Sequence, residues 1–142
     1  MNHALSYLLI IIALSSAQIA RAATYALCIY ERPSTMARRA DPVSGPAYWQ
    51  EFGRLSEEMK AAGVLRGGSA LQAGDRLRTV RREKGSVQVS PGAHLPSSLV
   101  FSGYFVVEVE SDDAALAWAE RIPSLRHGGA VEVRPYDTNP KM

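Results

Sequence analysis

Residues 104–134, which read YFVVEVESDDAALAWAERIPSLRHGGAVEVR, decide the fold of this chain. The apolar run at residues 104–109 predicts a strand. Ser111 and the two aspartates after it are typical of a helix N-terminus. Pro123 ends that helix, because a residue before proline avoids the α region. Residues 131–134 predict a second strand, so the stretch is a β-α-β unit.

An earlier stretch of the chain repeats this pattern. Residues 24–30 are apolar and aromatic, which predicts a buried strand, and the proline-rich residues 31–45 predict a loop. A helix follows, because five apolar residues recur at spacings of four and three: Tyr48, Phe52, Leu55, Met59 and Ala62. Gly63 is placed to end this helix as a left-handed cap.

The middle of the chain predicts a bent strand and a hairpin. Residues 64–72 contain the pair Gly67-Gly68, which indicates a bulge. Residues 77–82 and 86–89 predict two strands whose turn contains Gly85. The element order is therefore β-α-β, an inserted β-hairpin and β-α-β. This order predicts an α+β fold with the split βαβ arrangement of ferredoxin-like proteins.

Such a sheet carries helices on one face only, and its other face needs a cover. The fully apolar sides of the two later strands belong under the helices, with Phe105, Val107, Val109, Val131 and Val133. The opposite sides form a mixed face of Tyr104, Val106, Glu108, Glu132 and Arg134. A mixed face of that size is usually a subunit interface or a cavity wall. We therefore expect a homodimer.

The first 22 residues predict a signal peptide. Residues 5–14 are apolar and uncharged, but a membrane-spanning helix needs about 20 such residues. Ala20-Arg21-Ala22 fits the small-x-small pattern of a cleavage site. We expect cleavage after Ala22, a periplasmic or secreted protein, and one domain over residues 23–142. An uncleaved anchor is the alternative, since no Lys or Arg precedes the apolar run, and only then is the membrane a partner.

Charge and motifs exclude several functions. The chain has 16 basic and 14 acidic residues, and loss of Arg21 leaves 15 against 14. The basic run at residues 76–82 lacks the aromatic residues that single-strand binders use, so we expect no nucleic-acid partner. Cys28, the only cysteine, lies mid-strand and is expected to be an unreactive core residue. Neither metal-ligand spacing nor a phosphate-binding loop is present, so we expect no metal and no cofactor.

Several segments of the chain resemble the YCII-related family, in the branch named for its Asp-Gly-Pro-Phe motif. They are YALCIYE (25–31), KAAGVL (60–65), GYF (103–105), ALAWAERIP (115–123) and GAVEVRP (129–135). The resemblance implies a ferredoxin-like unit that dimerises through its sheets into an α/β barrel. It also implies relatives that include a dehydrochlorinase-like lyase, with an acid or histidine in the cleft as proton carrier.

At the place of the family motif this chain reads Pro91-Gly92-Ala93-His94, and only the glycine matches. Because the motif acid is missing, we favour an exported dimer that binds a small organic molecule or a partner without catalysis. The alternative is a lyase- or isomerase-like enzyme that uses His94 as general acid or base. In that enzyme Arg134 anchors an anionic substrate and Tyr104 contacts its ring. The simpler alternatives are that His94 is a solvated residue of a loop, and that Glu132 and Arg134 form an ion pair at a subunit interface.

Overall fold

The chain folds into strands and helices in the computed structural model, which describes residues 21–72, 74, 76–95 and 97–138. The predicted signal peptide covers residues 1–22, and its first 20 residues lie outside the described residues. The elements in order are β1 (Ala23–Glu31), α1 (Pro33–Ala40), α2 (Gly45–Ala61), β2 (Leu65–Ala70), β3 (Arg78–Glu83), β4 (Ser86–Pro91), β5 (Val100–Val109), α3 (Asp112–Ala119), a 3₁₀-helix (Pro123–His127) and β6 (Ala130–Pro135).

The main sheet has four strands in the order β2-β5-β1-β6, and every neighbouring pair in it is antiparallel. β3 and β4 form a separate two-stranded hairpin. Antiparallel strands with helices packed beside them are an α+β fold, so the α+β class predicted from the sequence is confirmed.

The core lies between the sheet and the helices α2 and α3. Alternate residues of β1 are buried, namely Tyr25, Leu27, Ile29 and Glu31. The first three of these residues meet Leu55 and Met59 of α2, Ala115 and Ala119 of α3, and Val107 and Val109 of β5. Phe105, Val131 and Val133 pack against this cluster from the same side. The predicted assignment of the apolar strand faces to the helix side is confirmed.

Three local signals in the sequence act as predicted. Ser111 caps α3, because its hydroxyl accepts a hydrogen bond from the Ala114 amide at 3.1 Å. Gly63 follows α2 with a φ of 71°, and Gly85 turns the hairpin with a φ of 85°. Pairing of β2 with β5 shifts between Leu65 and Gly67, which is the predicted bulge.

The prediction that residues 31–45 form a loop is wrong. β1 continues to Glu31, and α1 begins at Pro33. Proline suits the first turn of a helix, because that turn has no use for its missing N–H and its φ is already helical. The prolines therefore mark a helix start here rather than a break. Beyond α3, Ile122 is extended as expected before proline, and the 3₁₀-helix after it was not predicted.

The β3–β4 hairpin projects from the domain with an apolar face in solvent. Val80 is paired with Val89, and Val87 with Arg82, so these side chains share one face. Val80 is 65% exposed, Val87 is 55% exposed and Val89 is 64% exposed. An isolated two-stranded hairpin is marginally stable in water, so this element depends on its anchoring in the domain.

The sheet face opposite the helices carries half-buried side chains. On it, Tyr30 and Phe101 make a ring contact with centroids 5.4 Å apart. Cys28 lies between Tyr104 of β5 and Glu132 of β6 in the strand register. Its pKa is raised, chiefly by burial, which keeps the thiol protonated. Among the described residues, no helix is long and apolar enough to span a membrane.

Candidate functional site

A cavity of about 320 Å³ lies on the helix side of the sheet. Its walls come from β1, the end of α1, α2, β2 and β5, and the lining residues are Ile29, Glu31, Arg39, Trp49, Phe52, Gly53, Ser56, Gly68, Ser69, Ala70, Ser102, Gly103, Tyr104 and Phe105. A volume of this size is at the lower end of the range for small-molecule pockets. The cavity is therefore the candidate ligand site.

Aromatic rings form one side of the cavity. Phe52 of α2 and Phe105 of β5 are stacked, with centroids 6.4 Å apart and ring planes 24° from parallel. Trp49, one helical turn before Phe52, has its ring centroid 6.2 Å from that of Phe52. The helical spacing of residues 49, 52, 53 and 56 places these side chains along one stripe of α2. The sequence thus builds a flat, apolar wall from a single helix face and one strand.

A buried ion pair forms the polar side of the cavity. Arg39 Nη1 lies 2.8 Å from Glu31 Oε2, and the two side chains are 9% and 1% exposed. Arg39 also donates to the Ser102 carbonyl at 3.2 Å and to the Leu71 carbonyl. Burial lowers the pKa of the Arg39 guanidinium, and the charge of Glu31 opposes that shift. These contacts hold the Glu31 carboxylate in a fixed position.

Glu31 has one oxygen left over. Its Oε1 is buried and has no hydrogen-bond partner among the described residues. A buried acceptor without a partner is unfavourable, and an acceptor of this kind in a native protein usually has a role. In a cavity wall, the natural partner is a donor on a bound molecule or an ordered water.

Trp49 and Arg39 hold each other's side chains in position. The Trp49 indole N–H donates to the Arg39 carbonyl at 3.0 Å, and the guanidinium lies 5.2 Å from the centroid of the indole ring. Attraction between a cation and an aromatic face strengthens as solvent is removed. The aromatic and the charged walls of the cavity are therefore joined at one corner.

Two glycines allow the strands at the cavity wall to come close. A Cβ on Gly68 would lie 2.6 Å from the Tyr104 carbonyl oxygen, and one on Gly103 would lie 2.7 Å from that of Ser69. No real side chain fits at such distances, so β2 and β5 need glycine at both positions.

The residues predicted from the sequence for the site are on different surfaces. Tyr104 contributes to the cavity wall, although strand alternation turns its ring toward the opposite sheet face. Glu132 and Arg134 lie on that opposite face of β6, with 3.3 Å between Oε2 and Nη1. His94 is exposed on the loop after β4 and is not among the described residues that line the cavity. The catalytic role of His94 stays a prediction.

Sequence reasoning missed Glu31 and Arg39. Glu31 has the same parity as Tyr25, Leu27 and Ile29, so the alternation itself predicts a buried acid at the end of β1. Arg39 was missed because residues 31–45 were interpreted as a loop. Among the described residues, no group of three or more His, Cys, Asp or Glu side chains is arranged to hold a metal ion.

Comparison with curated proteins found no match to this chain. A family model does match: that of the YCII-related domain, over residues 23–137. The matched region begins with β1 and ends just after β6, so it includes every strand of the sheet and every wall of the cavity. The chain belongs to the YCII-related domain family.

Proposed function

We propose that this protein is a dimeric domain that binds a small organic molecule in the cavity under its sheet, without catalysing a reaction. The observation that carries the proposal is the combination of the aromatic wall with the buried Glu31–Arg39 pair. A pocket with mostly apolar walls and a few fixed polar groups is the usual form of a ligand site. A lyase- or isomerase-like enzyme using His94 remains the alternative.

We further propose that the domain is ferredoxin-like. β1 and β5, the first strands of the two β-α-β units, lie at the centre of the sheet, and β2 and β6 lie at its edges. α2 and α3 pack on the same side of this sheet. This arrangement supports two interlocked βαβ units, with the hairpin inserted between them.

The open sheet face supports a dimer in the form of an α/β barrel. Tyr30, Phe101 and Val106 lie on this face, and none of the three is among the described hydrophobic residues that pack in the core. A second copy packed on it would remove these side chains from water. We propose export as well, on the strength of the cleavage pattern at residues 20–22. N-terminal sequencing of the native protein tests export, and an intact Met1 in a membrane fraction would show an anchor instead.

Binding in the cavity is tested by filling it. A Cβ built on Gly53 has no heavy atom of the described residues within 4 Å, so a larger residue has room there. Gly53→Leu should fold and occupy the cavity, and Gly53→Ala is the matched control that leaves most of the space. Both replacements favour the helix over glycine by roughly 1 kcal/mol.

The readout is the thermal midpoint of unfolding in the presence of a panel of small aromatic compounds. A ligand at 100 times its Kd adds about 2.7 kcal/mol of stability. We expect panel members to raise the midpoint of the wild type and of Gly53→Ala but not of Gly53→Leu. The proposal is wrong if no compound raises it, or if Gly53→Leu responds as the wild type does.

A further inference from the structure

We propose that the cavity takes a flat, neutral aromatic molecule that donates one hydrogen bond, from a hydroxyl or a ring N–H, to the carboxylate of Glu31. This inference rests on the proposed function, because it names the class of ligand for the same cavity. It is carried by the contacts of Glu31, Arg39 and the aromatic wall.

The shape of the ligand follows from the walls and the volume. Phe52 and Phe105 are stacked nearly parallel beside Trp49, and aromatic faces favour another flat ring against them. A cavity of about 320 Å³ accommodates one ring or two fused rings with a substituent.

The hydrogen-bonding character follows from what the cavity offers. Arg39 Nη1 donates to Glu31 and to the Ser102 carbonyl, and Nη2 donates to the Leu71 carbonyl. The Ser102 hydroxyl donates to the Ile29 carbonyl at 3.1 Å. Oε1 of Glu31 has no such partner among the described residues. An ionised carboxylate only accepts hydrogen bonds, so the ligand has to supply the donor.

The charge of the ligand follows from the balance in the cavity. Glu31 and Arg39 are the only acid and the only base among its described lining residues, and they neutralise each other. A carboxylate or ammonium on the ligand would add a buried charge without a counter-ion, which is costly in apolar surroundings. A neutral hydroxyl or N–H satisfies Oε1 at no such cost.

Three probes of the same ring system separate these features: 2-naphthol is neutral and has a donor, naphthalene has no donor, and 2-naphthoate is an anion. Isothermal titration at pH 7 gives the Kd of each for the full-length wild-type protein. A hydrogen bond to a charged group changes affinity by about tenfold to hundredfold. We expect 2-naphthol to bind at least about tenfold tighter than either of the other probes.

Glu31→Gln supplies a reciprocal test. The amide is a weaker acceptor, and its neutrality leaves the charge of Arg39 without a partner. We expect the variant to bind 2-naphthol about tenfold more weakly than the wild type does, and to bind 2-naphthoate more tightly. Should this variant fail to fold, the order of the three probes on the wild type still decides the question, with Gly53→Leu as the control that abolishes binding in the cavity.

Three outcomes overturn the inference and leave the proposed function standing. One is equal affinity for naphthalene and 2-naphthol, which would show that the ring alone is bound. Another is a preference for 2-naphthoate, which would make this an anion site of Arg39. The third is binding of the compound panel in the cavity when none of the three probes binds. If nothing binds there, both proposals fail.

Discussion

At the scale of single residues, Glu31 and Arg39 matter most. Glu31 ends β1, Arg39 lies in α1 between β1 and α2, and each side chain is almost completely buried. A buried pair rarely adds much stability compared with apolar residues of equal size, but breaking it is expensive. The pair therefore makes more sense as a device that positions a carboxylate than as a source of stability.

This distinction predicts how two variants differ. Arg39→Met leaves Glu31 as an uncompensated buried charge, and we expect the free energy of unfolding to fall by about 3–5 kcal/mol. The double variant Glu31→Leu with Arg39→Met contains no buried charge and should recover most of that loss. Urea unfolding measures both proteins. A double variant as unstable as the single one would show that the pair holds the fold together.

His94 gives the test between binding and catalysis. Its side chain is exposed on a loop, outside the described lining of the cavity. We expect His94→Ala to keep the unfolding midpoint and the ligand affinity of the wild type. General acid–base catalysis typically contributes 10²–10⁴-fold. A loss of that size in turnover of any substrate, with folding intact, would favour the enzyme instead.

At the scale of elements, the bulge of β2 is followed by two adjacent glycines with different roles. A Cβ on Gly68 would meet the backbone of β5, whereas one on Gly67 meets no heavy atom of the described residues within 4 Å. We expect Gly68→Ala to cost about 1–3 kcal/mol, as forced packing does, and Gly67→Ala to cost little. Chemical denaturation of the two variants checks this. If both variants lose the same stability, glycine is needed here for the flexibility of the strand and not for the close approach of β5.

A hydrogen bond between β1 and α3 should make the stability of the fold depend on pH in alkaline solution. The Tyr25 hydroxyl donates to Asp112 Oδ1 at 2.5 Å, and this bond, with burial, raises the pKa of Tyr25. A raised pKa means that the contribution to stability is complete below pH of about 10 and is lost as pH rises through the folded-state value.

We therefore expect wild type to be more stable than Tyr25→Phe at pH 8. The difference should shrink as pH rises above about 10, because the wild type then loses the contribution of Tyr25. Urea unfolding of both proteins from pH 8 to 11 measures it. If the two plots of stability against pH are parallel, folding does not change the pKa of the Tyr25 hydroxyl.

Much of the architecture follows from the sequence, and the cavity does not. Strand alternation and the spacing of Tyr48, Phe52, Leu55 and Met59 depend on neighbours along the chain, so they predict the sheet faces and α2. α1 was missed because proline both breaks and begins helices. The cavity joins residues 31, 39, 49 and 105, whose proximity depends on strand order and packing, and no local pattern encodes that.

At the scale of the whole molecule, the open sheet face predicts the assembly. Val106 lies on that face between Ala26 and Gly67 in the strand register. Val106→Asp would place a charge in the proposed interface, and we expect it to convert a dimer into a monomer. Light scattering at micromolar concentration measures this. Val43→Asp, at a residue that is 88% exposed, is the control and should stay dimeric. A folded wild-type monomer would rule the dimer out.

The exposed hairpin also affects how readily copies of this protein aggregate. Unpaired strand edges recruit strands from other molecules and can start aggregation. β3 carries arginines on both of its faces: Arg78 and Arg82 lie beside the valines, and Arg81 lies behind them, paired with Glu83. Two such hairpins approaching edge to edge bring like charges together before their backbones can pair. Because about 1 M salt shortens the range of that repulsion to about 3 Å, we expect this protein to aggregate more readily at high ionic strength.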